Sequence, residues 1–259
     1  MSRNQATGPV LLITGGARGI GAATARLAAS RGYRLAINYS RSKARALALA
    51  QEIVESGGQA RAYCADVTDE IAVSTMFEAI TGELGPVTTL VNNAGVDGNA
   101  GPVQDLVATA VRRLFDVNVI GTMICCREAA RHMSTHRGGS GGVIVNVSSM
   151  AATIGGRDGN AVYAASKAAI DAYTVGLAKE LGPQGIRINT IRPGMTNTEM
   201  TAEAMSEPDR FAAVAATIPI GRFAHVDEIA APIMWLLSDE ASFISGARID
   251  ASGGGFIVR

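Results

Sequence analysis

Seven short runs of apolar and β-branched residues alternate with longer helical patterns along most of the chain. This alternation predicts an α/β fold with parallel strands, because each connection between strands is long enough for a crossover helix. Seven strands of this kind predict one large domain. The predicted strands are 10–14, 34–39, 59–65, 88–92, 143–147, 186–191 and 247–250.

The segments between these runs carry Ala, Leu and charged residues at a spacing of three to four, which is typical of helices that are buried on one side. No shift in composition marks a domain boundary and no internal repeat is present, so we expect residues 1–259 to form a single domain. The glycine-rich stretch 138–142 resembles a linker but lies between a helix and a strand, which favours a flexible loop. The predicted helices are 19–31, 42–56, 69–84, 109–136, 162–181 and 226–238.

The segment 196–218 interrupts the alternation with several methionines, one phenylalanine and scattered acids. A long insertion of this kind in a compact domain is often a lid over a binding site. An ordinary pair of surface helices is the alternative.

Composition and charge exclude several classes of protein. With 47% apolar and 18% charged residues, the chain is not expected to be disordered. Lys and Arg total 23, as do Asp and Glu, so no excess of positive charge indicates a nucleic acid or an anionic membrane as partner. The longest apolar stretch, 229–237, contains Pro232 and is much shorter than the roughly 18 to 20 residues of a membrane span.

The three cysteines, Cys64, Cys125 and Cys126, fit neither a disulfide framework nor a zinc site. Residues 1–9 contain no hydrophobic segment of the signal-peptide type. We therefore expect a cytoplasmic protein of enzyme size. His132 and His136 are four positions apart but have no third ligand at useful spacing, so we predict surface histidines and no metal site.

A glycine-rich turn, Thr14-Gly-Gly-Ala-Arg-Gly-Ile-Gly21, follows the first predicted strand and opens the first predicted helix. Its spacing is G-x3-G-x-G, whereas the common dinucleotide fingerprint is G-x-G-x-x-G. Such glycines allow the backbone to approach a pyrophosphate, and the helix N-terminus offers it unpaired N–H groups. A purely steric need for glycine in a tight turn is the alternative. The candidate cofactor-binding residues here are Gly15, Gly16, Arg18, Gly19, Ile20 and Gly21.

The second predicted strand ends without the acid that NAD enzymes usually carry there to hold the ribose 2′-hydroxyl. Asn38 stands in its place. Arg41, together with Arg18, would instead pair with a 2′-phosphate through charge-assisted hydrogen bonds. We therefore predict that NADP(H) is preferred and NAD(H) disfavoured, with Tyr39 and Ser40 also at this site. Two solvated surface arginines are the alternative.

Two further predicted strands end in residues suited to a nucleotide. Asp66, followed by Val67, would accept a hydrogen bond from the adenine amino group or else cap the next helix. The sequence Asn-Asn-Ala-Gly at 92–95 ends the fourth strand, at the carboxyl edge where ligands bind in open α/β sheets. The candidates here are Asp66, Val67, Asn93, Ala94 and Gly95.

Residues suited to proton transfer cluster around the fifth strand and the following helix. Tyr163 and Lys167 are four positions apart, so they lie on one helix face, where the ammonium would lower the tyrosine pKa from its usual value near 10. A chance pair on an amphipathic helix is the alternative. Ser148 and Ser149 close the fifth strand and bring hydroxyls to the same sheet edge, where one would hold a carbonyl oxygen.

Asn118 is a polar residue on an otherwise apolar stripe of the fourth predicted helix. A buried amide needs hydrogen-bond partners. It therefore either ties down backbone or holds a water in a path for protons.

Taken in order along the whole chain, these motifs resemble the short-chain dehydrogenase/reductase family, especially its bacterial 3-oxoacyl-acyl-carrier-protein reductase and glucose 1-dehydrogenase types. The resemblance implies a Rossmann fold, that is, a doubly wound seven-stranded parallel sheet with helices on both faces. Ser149 matches the family serine, which is normally the second of a pair. The spacing from serine to tyrosine is fourteen where thirteen is common, which we interpret as one extra residue in the loop 154–159. The motifs that carry the resemblance are 14–21, 92–95, Asn118-Val, 147–149, Tyr163-x3-Lys167 and Pro193-Gly194.

The resemblance also implies a mechanism in which hydride passes between the nicotinamide and a carbonyl carbon while Tyr163 protonates the oxygen. Lys167 would hold the nicotinamide ribose and lower the pKa of Tyr163, and Ser149 would orient the substrate oxygen. Asn118 would anchor a water that links Lys167 to solvent. The implied catalytic residues are Asn118, Ser149, Tyr163 and Lys167; Tyr163 and Lys167 would also bind the cofactor, with Pro193, Gly194 and Thr196 at the carboxamide.

The same resemblance also implies how copies of the chain assemble. Family members are commonly tetramers, so we expect a homotetramer formed through the fourth and fifth helices and the tail 253–259. Trp235 lies in an apolar helix and is expected in the core. A nucleotide-binding redox sensor without turnover is the rival class, but such a protein would not need the complete set of four catalytic residues.

The substrate remains open. A carrier protein, which is acidic, would need a basic patch, for which only Arg112, Arg113 and Arg157 are candidates, and the acids in 202–209 would oppose it. We therefore favour a free small or medium carbonyl compound or secondary alcohol over an acyl-carrier-protein substrate.

Overall fold

The computed structural model describes residues 8–98, 101–202, 206 and 208–255. These residues form a seven-stranded sheet in the order β3-β2-β1-β4-β5-β6-β7, in which every neighbouring pair is parallel. Strand order reverses between β1 and β4, which leaves a crevice at their carboxyl ends. The strands are β1 Val10–Thr14, β2 Arg34–Tyr39, β3 Gln59–Cys64, β4 Val87–Asn92, β5 Gly142–Val147, β6 Ile186–Pro193 and β7 Arg248–Ala251.

Helices cover both faces of the sheet, as predicted. One face packs its apolar residues against α3, α5 and α7, and the other against α1, α2 and α10. Alternate residues of one strand serve opposite faces, as Leu12 and Ile13 of β1 do. The helices are α1 Gly19–Ser30, α2 Lys43–Glu55, α3 Glu70–Leu84, α4 Ala108–Phe115, α5 Gly121–Met133, α6 Ala151–Ile154, α7 Ala161–Leu181, α8 Glu199–Ala202, α9 Pro208–Ala216 and α10 Val226–Leu237.

The chain is helical without a break over 108–133, close to the single helix predicted over 109–136, but this helix is not a regular α-helix throughout. A π turn, Asp116–Ile120, separates α4 from α5, and its wider hydrogen bonding shows in the N–H of Gly121, which donates to the carbonyl oxygen of Asp116. Helix α5 ends at Met133 because Ser134 leaves the helical conformation. The Oγ of Ser134 accepts a hydrogen bond from the N–H of His136. His132 packs its ring against Phe77, with 5.4 Å between the centroids.

The segment 196–218 contains the two short helices α8 and α9. Its apolar residues Ala215 and Ile218 form a small separate core with Phe223, and the ring of Phe211 lies 4.7 Å from that of Phe223. A pair of helices therefore does form here, while the role of lid stays a prediction. Met205, one of the methionines of this segment, lies outside the described residues.

Trp235 of α10 is partly buried and packs against the core formed with α1 and α2. Within the described part of the chain, no helix is both long and apolar enough to span a membrane.

Candidate active site

A cavity of about 770 Å³ lies along the carboxyl ends of β1, β2, β4, β5 and β6, where the strand order reverses. A cavity of this size accommodates a large organic ligand. One end is lined by the glycine-rich turn and by arginines, and we name it the arginine end. The other is lined by Ser149, Tyr163 and Lys167, and we name it the tyrosine end.

The glycine-rich turn between β1 and α1 packs tightly against the loop after β4. A Cβ atom at Gly15 would lie 2.9 Å from the Cα of Ala94, and one at Gly21 would lie 2.6 Å from the Nδ2 of Asn93. Gly15 and Gly19 also have positive φ angles of 58° and 52°. The steric need for glycine is therefore real, and it accompanies a helix N-terminus whose N-cap, Arg18, has no side-chain acceptor for the free N–H groups.

Asn38 lies near the end of β2, where NAD enzymes usually carry the acid, but its amide is engaged in structural hydrogen bonds. Its side chain is buried, its Oδ1 accepts from the N–H of Gly15 at 3.2 Å, and its Nδ2 donates to the carbonyl oxygens of Ala65 and Tyr63. The residue thus fastens the glycine-rich turn to β2 and β3 and is not free to hold a ribose. The residues after it, Tyr39 to Ser42, line the cavity and include no acid.

Asp66 lines the cavity but does not cap α3, so one of its two sequence interpretations is wrong. Asp69 is the cap, accepting from the N–H groups of Ile71 and Ala72. The Oδ1 of Asp66 accepts from Thr68, and its Oδ2 lies 3.4 Å from the Nη2 of Arg113.

Asn93 holds the β4 loop to the glycine-rich turn. Its Nδ2 donates to the carbonyl oxygens of Thr14 and Gly15, at 3.1 and 3.0 Å. The hydroxyl of Thr14 in turn accepts from the backbone N–H groups of Asn93 and Ala94. These contacts fix the middle of the cavity wall, which Gly95, Val67 and Ile20 also line.

The arginine end contains charged contacts that the sequence did not reveal. Arg18 pairs with Glu199 of α8, and the same carboxylate pairs with Arg45 of α2. Ser40 and Arg41 are exposed and line the cavity beside them.

At the tyrosine end, β5 and α7 bring together the three groups that the sequence selected. The Nζ of Lys167 donates to the carbonyl oxygen of Val147 at 2.9 Å and lies 5.7 Å from the centroid of the Tyr163 ring. Ser149 acts on the Tyr163 hydroxyl so as to lower its pKa, and the Oγ of Ser149 accepts from the N–H of Ala151 at 3.1 Å. Phenol, ammonium and serine hydroxyl therefore share one small region.

Burial is the main cause of the pKa shifts of Tyr163 and Lys167. It raises the pKa of Tyr163 to about 12, although the hydrogen bond from Ser149 acts to lower it. It lowers the pKa of Lys167 to about 8, while the carboxylate of Asp171 acts to raise it. The expectation that the ammonium lowers the Tyr163 pKa below its usual value is therefore wrong for the protein alone, because desolvation of the phenolate dominates.

Asn118 lies in the π turn and is buried, and every described contact of its amide is structural. Its Oδ1 accepts from the N–H of Val96 at 2.8 Å, and its Nδ2 donates to the Val96 carbonyl oxygen and to Ser166 Oγ at 2.9 and 3.1 Å. A Cβ atom at Gly95 would lie 3.3 Å from this Oδ1 and 3.5 Å from Lys167 Nζ. Asn118 thus ties the β4 loop to α7; its role in holding a water stays a prediction.

Behind Lys167 lies a buried ion pair that sequence reasoning missed. The Nε of Arg192 in β6 donates to Asp171 Oδ2 at 2.8 Å, and both side chains are mostly buried. Ser148, the other serine of the pair, donates to the Lys167 carbonyl oxygen at 3.1 Å. The available signal was an acid one helical turn after Lys167 on a face that also carries Tyr163.

The chain after β6 and the loop before α7 complete the cavity wall. Thr196 is buried and donates to the carbonyl oxygen of Gly194 at 3.1 Å, and Pro193 precedes them. In the loop 154–159, Arg157 lines the cavity and contacts the sulfur of Met195. The loop is followed by Asn160, whose Nδ2 donates to Asp97 at 3.0 Å.

Comparisons with known proteins agree with this architecture. A family model described as Enoyl-(Acyl carrier protein) reductase matches residues 15–255. An uncharacterized oxidoreductase of Escherichia coli K12, YgfF, is 45% identical over 245 residues, which cover 95% of this chain and 99% of the relative. The human 3-oxoacyl-[acyl-carrier-protein] reductase is 36% identical over 245 residues, with 95% and 97% covered.

A solved structure shares the fold closely. The short-chain dehydrogenase of Burkholderia cenocepacia J2315, solved in complex with NADP, has a TM-score of 0.88 at 36% identity. The match covers 98% of this chain and 99% of that one.

Proposed function

The chain belongs to the short-chain dehydrogenase/reductase family, and on that basis we propose that it transfers hydride between NADP(H) and a small or medium carbonyl compound or secondary alcohol. Family membership makes it an oxidoreductase of CH–OH or C=O groups that uses a nicotinamide cofactor. The observation that carries the proposal is the grouping of Ser149, Tyr163 and Lys167 at one end of a cavity whose other end is a glycine-rich helix N-terminus.

The residues present fit the cofactor. The glycine-rich turn leaves no room for a Cβ at Gly15 or Gly21, and it presents the α1 N-terminus to the cavity, as a pyrophosphate requires. Arg18 and Arg41 supply positive charge beside residues 39–42, which include no acid, and this favours a 2′-phosphate. The Burkholderia relative, solved with NADP, supports the same choice.

We assign the nucleotide to the whole length of the cavity. Its adenosine half would lie at the arginine end and its nicotinamide half at the tyrosine end. The residues proposed to hold it are Gly15, Gly16, Arg18, Gly19, Ile20, Gly21, Tyr39, Ser40, Arg41, Asp66, Val67, Asn93, Ala94, Gly95, Tyr163, Lys167, Pro193, Gly194 and Thr196.

A bound nicotinamide supplies or accepts the hydride. Tyr163 donates the proton to the carbonyl oxygen during reduction, and its raised pKa of about 12 keeps the phenol protonated at neutral pH. Ser149 holds the substrate oxygen beside that phenol. Lys167, with a pKa near 8, is mostly charged at pH 7 and stabilises the phenolate that forms.

We assign Asn118 a positioning role in the β4 loop. By holding Val96 through two hydrogen bonds, it fixes the loop that separates the β4 end from Lys167. We propose that a water in this region connects Lys167 to solvent and restores the proton that Tyr163 gives up.

The lining of the tyrosine end favours a free, largely apolar substrate, since it includes Leu114, Met150, Ile154 and Met195. A 3-oxoacyl-acyl-carrier-protein reductase is the second candidate, supported by the human relative of that name. Against it, Arg113 pairs with Asp66, which reduces the excess positive charge that would attract an acidic carrier.

The experiment is a panel of ketones, aldoses and 3-oxoacyl thioesters, assayed with NADPH and NADH at low and high salt. We expect free carbonyl compounds to be reduced with the higher kcat/KM, and NADPH to be preferred. A carrier-protein thioester with a far higher kcat/KM that falls steeply with salt would establish the second candidate instead. Tight cofactor binding with no turnover of any compound would indicate a sensor.

We further propose a cytoplasmic homotetramer. Val103 and Val107 before α4 and Ile120 after it are exposed apolar side chains, which another copy of the chain would bury. The end of the proposed tail contact, 256–259, lies outside the described residues. Light scattering of the purified protein would measure the assembly.

A further inference from the structure

A carboxylate occupies the arginine end of the cavity. Glu199, the first residue of α8, places its Oε2 3.3 Å from the Nη1 of Arg18, and its Oε1 pairs with the Nη1 of Arg45. The three side chains come from the glycine-rich turn, α2 and α8, which are far apart in sequence. Glu199 also lines the cavity. Two arginines from different elements therefore converge on one acidic group beside the proposed nucleotide site.

This trio differs from an ordinary surface ion pair. Arg26 and Glu52, between α1 and α2, pair one positive with one negative charge and are neutral together. The trio contains two guanidinium groups and a single carboxylate, so it keeps an excess positive charge. Arg18 and Glu199 line the cavity, and Arg45 lies behind the carboxylate, outside the lining. Converging guanidinium groups suit phosphate, which accepts several charge-assisted hydrogen bonds at once.

We propose that Arg18 and Arg45 form one anion site for the nucleotide 2′-phosphate, and that Glu199 fills this site until the phosphate displaces it. This inference rests on the proposed function. It adds Arg45 as a phosphate-binding residue and makes Glu199 a determinant of cofactor specificity. Glu199 competes with every nucleotide that carries the 2′-phosphate and with none that lacks it.

Displacing Glu199 from Arg18 and Arg45 should cost little free energy. Each of the three side chains is about half exposed, and ion pairs of that exposure contribute only about 0 to 1 kcal/mol. A phosphate monoester carries a charge of about −1.5 to −2 and has three acceptor oxygens, so it binds two guanidinium groups better than a carboxylate does. The phosphate therefore displaces the Glu199 carboxylate, and the presence of Glu199 weakens phosphate binding by a modest factor.

The experiment separates the phosphate from the rest of the cofactor. Wild type, Glu199→Gln and Arg45→Ala are titrated by calorimetry with adenosine 2′,5′-bisphosphate and with adenosine 5′-monophosphate at low salt. Glu199→Gln should tighten the bisphosphate about three- to fivefold and change the monophosphate less than about twofold. Arg45→Ala should weaken the bisphosphate by a similar factor and leave the monophosphate unchanged.

A matched control is Glu52→Gln. It removes a carboxylate of similar exposure from the Arg26 pair, whose residues do not line the cavity, and should alter neither titration. Thermal unfolding of each variant checks that the fold is retained.

The outcomes separate this inference from the proposed cofactor. If wild type prefers the bisphosphate but both variants keep the same ratio of affinities, the inference is overturned and the NADP(H) proposal stands. If wild type does not distinguish the two nucleotides but Glu199→Gln does, the inference holds and the wild-type preference for NADP(H) is wrong. If no variant distinguishes them, both are overturned.

Discussion

The two ends of the cavity are built in opposite ways. At the tyrosine end, Lys167 and Asn118 are buried and are held by backbone groups of β5 and the β4 loop. At the arginine end, Arg18 and Arg45 are half exposed, and their partner is another surface side chain. Buried polar groups are costly to leave unpaired, whereas exposed charges are screened by water and salt. If the cofactor binds as we propose, the difference predicts that the tyrosine end tolerates little change, whereas the cofactor preference set at the arginine end can be adjusted in small steps.

The largest effect should come from the tyrosine end. Tyr163→Phe keeps the ring but removes the proton, so kcat should fall about 1,000-fold or more at saturating cofactor. The dissociation constant of the cofactor should change less than about twofold, since the ring stays in place and only its hydroxyl is lost. Steady-state reduction of the best carbonyl compound measures the first quantity and calorimetry the second.

Tyr173→Phe is the matched control, because it makes the same change on the same helix in the packed core. It should retain near wild-type kcat. If Tyr163→Phe kept a tenth of wild-type kcat, another group would have to be the acid.

Lys167→Ala should rank second and damage both functions. It removes a buried cation beside the Tyr163 ring and leaves the Val147 carbonyl oxygen without its donor. We expect kcat to fall about 100-fold and cofactor binding to weaken. Lys179→Ala, an exposed position of α7, serves as the comparison. Unchanged cofactor affinity in Lys167→Ala would contradict its proposed contact with the ribose.

At the arginine end, the expected effect is smaller. Arg41→Ala removes a proposed, exposed partner of the 2′-phosphate and should raise the KM for NADPH about tenfold, equal to about 1.4 kcal/mol. The KM for NADH should stay within about twofold. Arg31→Ala, an exposed arginine just after α1, should change neither. A wild type that selects NADH, or an unchanged preference in Arg41→Ala, would refute the assignment of the 2′-phosphate.

The smallest effect concerns pH and tests whether the buried end is tuned by its surroundings. Carbonyl reduction needs charged Lys167, so the rate should fall as pH rises through the Lys167 pKa near 8. The carboxylate of Asp171 raises that pKa, because a negative neighbour favours the ammonium form. Asp171→Asn should therefore move the fall in rate to lower pH, with little change at pH 6. Steady-state rates between pH 6 and 10 would show it.

Asp250→Asn removes another carboxylate that pairs with Arg192 but is more exposed, and it should leave the profile in place. An unmoved profile in Asp171→Asn would mean that Asp171 serves only to pack with Arg192.

Much of the fold was predictable because strand signals are local. The run 59–65 differs from β3, Gln59–Cys64, by a single residue, and the helix predicted over 162–181 differs from α7, Ala161–Leu181, equally little. The π turn was not predictable from helical periodicity. Its central residue, Asn118, bonds to Val96, and no pattern within the helix encodes that contact.

The contrast between local and long-range contacts also explains which site residues could be identified from the sequence and which could not. Ser149 follows β5 directly, and Tyr163 and Lys167 lie in α7, all within a stretch of 19 residues, so a short motif identifies them. Arg45 and Glu199 are separated by 154 positions and meet only through the fold. Asn38 shows a further limit, because its place near the end of β2 was predictable, whereas the inward direction of its amide was not.

The π turn has a consequence for insertions and deletions. A turn of this kind contains one residue more than the α-helical path needs, so deleting a single residue from Asp116–Ile120 would restore a regular helix instead of breaking one. The repaired helix would keep α4 and α5 close to their present orientation, because the wide turn accommodates the extra residue without changing the helical phase on either side. The change would be confined to the turn, where Asn118 would lose its hydrogen bonds to Val96. A shortening that improves local helix geometry would thus break the tie between the β4 loop and α7, and the chain length at this point is under tighter constraint than the identity of most residues within it.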